Sequence, residues 1–376
     1  MAPIQQQMPV LDVGEDPFER GETHGRVFAA SVASNLETYL RRFEASGLDR
    51  DAARAEGARW LAAMQRQNAD YCAEMAGIAK GSERSEAEIA LLNARYELAF
   101  TLFGKDAQAR EDLLSVGPDG CTTFGLLPEV AANGHTWLGQ NWDWLEGVHG
   151  HCLVLRATRR HAPSFLCLTE AGIAGGKMGV NECGVGLVEN GLASSRDGAN
   201  PFQKPFHMRC REVLDAGRFD DALRPILDTK RTCSANFVVG HADGEIIDIE
   251  TSPDHVTYLY PDGGIVTHSN HFVGTGHGES QMEKVGPSTL FRAARLKRLL
   301  AMKGGKLAPD DMQAAARDTF GAPNGICRSP DPRLPEAKRT MTAASVLIDL
   351  GARTMHVANG PPTDFAYHPV PLDPRG

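Results

Sequence analysis

KDAQAREDLLSVGPDGCTTFGLLPEV, residues 105–130, changes character at one bond. Up to Gly120 the stretch is polar and closes on turn residues. From Cys121 it is rich in β-branched and apolar side chains, the composition of a strand. Asn133-Gly134 follows as a hairpin turn signal, and HTWLGQNWDW (135–144) reads as the return strand.

Upstream of that bond the chain reads as helical. GRVFAASVASNLETYLRRFEA (25–45), DAARAEGARWLAAMQRQNADYCAEMAGIAKG (51–81) and SEAEIALLNARYELAFTLFG (85–104) are Ala-rich, with apolar residues at i, i+3 and i+4. Ser85 and Glu88 form a capping-box pattern, and Gly47 and Gly104 suit helix stops. Downstream, strand signals dominate: HCLVLRAT, PSFLCLTEA, a glycine turn within 176–192, a hairpin over 234–252 hinged at Asp243-Gly244, and TAASVLIDLGARTMHVANG near the end. FHMRCREVLDA and the segments 288–302 and 308–320 read as helices among them. Helices first and many antiparallel strands after predict an α+β architecture, with helices over stacked sheets rather than a doubly wound parallel sheet.

The chain has 376 residues, enough for one large α/β unit or two to three domains. A net charge of −9 with no basic stripe disfavours nucleic acid or an anionic membrane as partner. RAARLKRLL (292–300) is locally basic and reads as a solvated helix face. No signal-like start or spanning apolar run is present, and the eight cysteines contain no C-x-x-C pair. They read as reduced, mostly buried thiols, so a cytoplasmic location is expected.

G-x-S-x-G, the phosphate-loop pattern and H-E-x-x-H are all absent. HSNH (268–271) holds two histidines, but on a strand their spacing puts them on opposite faces, and no metal is expected there. What remains is Gly120–Cys121. A thiol at that position can attack the preceding carbonyl, and hydrolysis of the thioester leaves Cys121 as a new chain start. Glycine upstream tolerates the distortion required. The freed α-amine, with a reference pKa of about 7.7–8.0, then serves as base for its own thiol. Gly-Cys alone is a weak signal that reads more simply as a strand cysteine after a turn.

DGCTTF followed by GQNWDW resembles the penicillin acyltransferase (acyl-coenzyme A:6-aminopenicillanic-acid acyltransferase) family of N-terminal-nucleophile hydrolases. The resemblance runs through ERGETHG (19–25), EMAGIAKG (74–81), LNARYEL (92–98), GVNECGVGLVENGL (179–192), SANFVVGHADGEIIDIETSP (234–253), HSNHF (268–272), STLFRAARLKRLL (288–300) and TAASVLIDL (342–350). It implies a four-layer αββα sandwich, two antiparallel sheets between helix layers. It also implies cleavage between Gly120 and Cys121, with residues 1–120 kept as a noncovalent subunit of one compact unit with 121–376. Asp143 would orient the α-amine, and Asn190 and Asn236 match oxyanion-hole asparagines. Arg292 matches the family's site arginine, with Arg295 one turn on as its competitor and Ser288 as a supporting residue. His24 is a prosegment candidate that reads more simply as structural, and Trp142 and Trp144 read as core. Gln140 stands where related bile-salt and penicillin V amidases carry arginine, so their substrates are not carried over.

The activity so implied is self-processing followed by amide hydrolysis or acyl transfer through an acyl-Cys121 intermediate. The substrate would be a small N-acyl amide or an acyl thioester. No cofactor is implied; coenzyme A enters only as a thioester substrate, and a homo-oligomer is compatible. Two other readings stay open: an unprocessed Cys–His hydrolase with His268 or His271 as base, and a catalytically silent scaffold of the same fold.

Overall fold

The computed structural model describes residues 3–109 and 120–373; most of the polar connector expected at 105–120 lies outside them. The N-terminal part consists of β1 (Val10–Val13), α1 (Pro17–Val27), α2 (Ala29–Glu44), α3 (Arg50–Gln65), α4 (Ala69–Ser82), α5 (Glu86–Asn93) and α6 (Arg95–Ala109). Each of the three expected helices is in fact split or displaced. The first starts at Pro17, capped by Asp16, and breaks at Phe28; the second breaks before Asn68, whose side chain caps α4. The third breaks at Ala94, while the Ser85–Glu88 capping box forms as read. Apolar periodicity continues across these breaks because both halves face one core, so the pattern conceals them.

Glycines set how closely two of these helices meet. A Cβ on Gly21 of α1 would lie 2.0 Å from the Glu74 carbonyl oxygen, and one on Gly77 of α4 would lie 2.1 Å from that of Phe18. The backbones therefore touch, and no side chain fits between them. Gly21→Ala is expected to cost about 1–3 kcal/mol by forcing the pair apart. Gly14→Ala, with nothing within 4 Å, should change little; denaturant midpoints of the two variants make the comparison.

The remaining chain runs β2 (Thr122–Leu126), β3 (Trp137–Leu145), β4 (Cys152–Ala157), β5 (Phe165–Glu170), β6 (Met178–Asn181), β7 (Val185–Gly191), α7 (Phe206–Asp215) and α8 (Phe219–Leu227). It continues through β8 (Ala235–His241), β9 (Glu245–Ser252), β10 (His255–Leu259), β11 (Ile265–His268), α9 (Met282–Val285), α10 (Thr289–Ala301) and α11 (Pro309–Ala316). β12 (Thr340–Asp349), β13 (Thr354–Ala358) and β14 (Tyr367–Pro371) complete it. One sheet has the order β1-β4-β5-β6-β7-β8-β9-β10 and the other β11-β2-β3-β12-β13-β14. The strand expected over 121–130 stops at Leu126, where Pro128 opens a single 3-10 turn. β14, with Pro369 and Pro371, was not expected as a strand; as an edge strand it tolerates their missing donors.

The two sheets stack face to face. Gln140 of β3 bonds the backbone of Glu189 on β7, and a Cβ on Gly186 of β7 would strike Leu350, just beyond β12. α10 and α11 cover the outer face of the six-stranded sheet, while α7 and α8 cover the eight-stranded one. This is the α+β, four-layer arrangement, with one amendment: β1 pairs in parallel with β4, so the larger sheet is mixed. The N-terminal part thus contributes a strand as well as helices. One apolar core joins Val32, Tyr39 and Ile78 to Leu138, Val188 and Val346. A second, containing Phe124, Leu296 and Leu347, lies beneath α10 and α11.

Candidate active site

Alternation along β2 sorts its side chains. Thr122, Phe124 and Leu126 turn toward the α10–α11 layer, whereas Cys121 and Thr123 turn toward the opposite sheet. Cys121 is buried just before β2, and its thiol donates to the Asp143 carbonyl at 3.7 Å. Asp143 is buried on β3 with its carboxylate on the other face. There Thr342 of β12 donates to Oδ1 at 2.6 Å, and Arg328 Nε lies 3.4 Å from Oδ2.

Arg292 projects from the first turn of α10 and is fully buried. Its Nη1 donates to the carbonyl oxygens of Gly120 and Cys121 and, at 2.7 Å, to the Thr122 hydroxyl. Nη2 donates to Asn270 Oδ1 at 2.6 Å, and Asn270 in turn donates to the Gly191 carbonyl at 2.9 Å. One guanidinium thus grips the backbone on both sides of the Gly120–Cys121 bond. Arg295 points elsewhere: it pairs with Asp318 at 2.6 and 2.7 Å and stacks over Phe320. Ser288 starts α10 without capping it.

Asn190 and Asn236 are direct neighbours across β7 and β8. Asn190 Nδ2 donates to Thr123 Oγ1 and to Asn236 Oδ1, both at 2.7 Å, and Asn236 Nδ2 donates to Asp248. The chain of amides therefore reaches β2 through Thr123, which shares its strand face with Cys121. Burial pushes the Asp248 carboxyl up to about 6.

The two histidines of HSNH differ. His268 is buried beside Glu250, with Nε2 2.9 Å from Oε1 and Nδ1 2.8 Å from the Ser269 carbonyl. Burial alone would lower its pKa, but the Asp248 charge and the Glu250 bond hold it at about 9. As an imidazolium with both N–H groups engaged, it has no lone pair for a thiol proton at neutral pH. His271 contacts Thr289 and Ser269, and burial lowers its pKa.

His24 lies apart from this cluster. It accepts from the Gly172 backbone at 3.1 Å, and burial lowers its pKa to about 4. Trp142 and Trp144 are buried between the sheets, Trp142 under the Lys177 ammonium and Trp144 donating to the Tyr39 hydroxyl at 2.7 Å. Gln140 fills the space between β3 and β7. Among the described residues, no group of three or more His, Cys, Asp or Glu is placed to hold a metal, and no helix is long and apolar enough to cross a membrane.

Sequence reasoning missed Thr342, Asn270 and Arg328. Asn270 sat between two histidines that drew attention to themselves. Arg328 is a single polar residue in a stretch that carries no motif, and Thr342 opens TAASVLIDL with no signal of its own.

Two stacked sheets between helix layers, with a cysteine leading into an inner strand, define an N-terminal-nucleophile hydrolase fold. A family model described as acyl-coenzyme A:6-aminopenicillanic acid acyl-transferase matches residues 130–364, starting downstream of Cys121. The chain belongs to that family. It is 29% identical over 318 residues to the 40 kDa form of acyl-coenzyme A:6-aminopenicillanic-acid-acyltransferase of Emericella nidulans, covering 83% of this chain and 82% of that one. Among solved structures it is similar to a Caenorhabditis elegans N-acylethanolamine-hydrolyzing acid amidase ortholog, with a TM-score of 0.46 and 13% identity over 61% of this chain and 93% of that one. It is also similar to penicillin V acylase from Agrobacterium tumefaciens, with a TM-score of 0.43 and 13% identity over 63% and 82%.

Proposed function

We propose that the protein cuts itself between Gly120 and Cys121 and then uses Cys121 to hydrolyse amides or transfer acyl groups. The observation that carries this is the Arg292 guanidinium on the Gly120 carbonyl oxygen, the atom that becomes the oxyanion during self-cleavage. In that step Cys121 Sγ bonds to the Gly120 carbonyl carbon, the C–N bond breaks, and the thiol proton passes to the departing nitrogen. Water then opens the thioester, leaving a Gly120 carboxylate and a free thiol. A preorganised cation at the developing charge is what such a step needs.

After cleavage the α-amine of Cys121 takes the thiol proton, and the thiolate attacks the substrate carbonyl. The oxyanion donors are Asn190 and Asn236; Thr123, on the strand face of Cys121, accepts from Asn190 until the substrate oxyanion takes its place. An amine acceptor resolves the acyl-enzyme by transfer, and water resolves it by hydrolysis. Small N-acyl amides and acyl thioesters, coenzyme A thioesters included, are the substrate classes. Residues 1–120 stay as a noncovalent subunit, held by the common core.

The denatured mass tests the reading: two fragments, 1–120 and 121–376, are expected, and a single active chain would overturn it. Arg292→Met should slow fragment formation by about 10²–10³-fold. Arg295→Met should cleave at the wild-type rate, since its partners are Asp318 and Phe320. Time courses of band intensity distinguish the two. Release assays on amides and acyl thioesters, with and without amine acceptors, decide between hydrolysis and transfer.

A further inference from the structure

Arg328 approaches the same bond from another direction than Arg292. It follows Cys327 in the loop before β12 and is buried. A Cβ added to Gly120 would lie 2.3 Å from its Nε and Nη2, so the guanidinium occupies the space that a side chain at position 120 would need. Its Nε lies 3.4 Å from Asp143 Oδ2. Nη1 donates to Thr340 Oγ1 at 3.1 Å, and its own N–H donates to the Thr342 hydroxyl at 2.9 Å. That hydroxyl is the one that donates to Asp143 Oδ1. Arg328 therefore packs its guanidinium against Gly120 and meets the Asp143 carboxylate twice, directly through Nε and by way of Thr342 through its backbone.

We infer that Arg328 is a positioning residue for self-cleavage, clamping Gly120 and the Asp143 carboxylate to a single guanidinium. The inference rests on the reading that the Gly120–Cys121 bond is cut. The glycine requirement at position 120 then has a steric source: the cation that orders the site leaves no room for a Cβ. The carboxylate has an electrostatic partner, because a cation beside a buried carboxyl favours its charged form, and Arg328 Nε stands 3.4 Å from Asp143 Oδ2. Among the described residues, Arg328 and Cys327 of the loop and Cys121 before β2 stand near it, with Arg292 of α10 on the adjoining backbone. Burial, together with the Asp143 charge, pushes the Cys327 thiol up, which makes it a neutral neighbour.

The test is the rate of fragment formation from full-length precursor as a function of pH. Removing the cation raises the carboxyl pKa, so the acid limb moves to higher pH. For Arg328→Gln the expected shift is about 1–3 units, with slower cleavage throughout; Arg328→Lys should return the limb toward wild type. Gly120→Ala should slow cleavage in the wild-type background and slow it less in Arg328→Gln, where the clash is relieved. Arg328→Gln cleaving at the wild-type rate, or slowed with an unmoved acid limb, would overturn the inference. If that variant does not fold, Thr340→Val, which loosens Arg328, is expected to shift the limb the same way, and no shift overturns the inference. A wild-type chain that stays whole overturns the cleavage reading itself, an outcome distinguishable from cleavage that ignores Arg328.

Discussion

Cys121→Ala is expected to leave one uncleaved chain and to abolish acyl chemistry, with activity falling on the order of 10⁴-fold or more. Two losses are combined in this one substitution. The thiol is the attacking group on Gly120, so without it the α-amine is never freed. It is also the group that carries the acyl intermediate, so no substrate turns over. The substitution removes one sulfur from a site already walled by β2, β3 and Trp142, and the fold should persist. Denatured mass and a release assay read the two losses separately. A variant that remains whole yet hydrolyses amides would show that catalysis does not run through this thiol. Of the two bases that an unprocessed Cys–His hydrolase would offer, His268 and His271, the first is held as an imidazolium against Glu250.

Glu170→Gln is expected to destabilise the protein by about 3–5 kcal/mol. Glu170, at the end of β5, is fully buried and accepts from Arg95 at 2.5 Å, from Lys177 and from the Tyr39 hydroxyl. Burial favours its neutral form, but the Arg95 and Lys177 charges outweigh this and hold its carboxyl below the usual range. Neutralising it removes the carboxylate that the two buried cations share. A surface pair such as Arg218–Asp220 offers a control, where Asp220→Asn should leave the unfolding midpoint unchanged. Tyr39 and Arg95 lie before Gly120, whereas Glu170 and Lys177 lie after it. If the chain is cut as proposed, the same substitution should loosen the grip between fragments. Gel filtration of the processed variant would then separate 1–120 from 121–376, and co-elution under wild-type conditions would count against that role for the network.

Much of the architecture was legible because it is written in short-range patterns. Strand composition from Cys121 onward, the hairpin signals at Asn133-Gly134 and Asp243-Gly244, and the Ser85–Glu88 cap all concern residues within a few positions of each other. The helix breaks at Phe28, before Asn68 and at Ala94 were not legible, since the apolar stripe runs on through each of them. β1 escaped notice for a different reason. Four residues that add in parallel to β4 carry too short a pattern to stand out among helices, and only their distant partner makes them a strand.

The candidate site divides in the same way. The sequence by itself determined where the chain changes from helical to strand character, which cysteine leads the strand, and which polar residues recur in the family's order. The tertiary structure alone decided which of them meet. Arg292 and Arg295 are three positions apart on one helix, and the packing of α10 puts the first on Gly120 and sends the second to Asp318. Thr342 and Arg328, some two hundred residues from Cys121, enter only because β12 pairs with β3 and carries its preceding loop to the far side of Asp143. Local sequence sets which face a side chain takes. What that face meets depends on strand order and helix docking, which are properties of the whole folded chain.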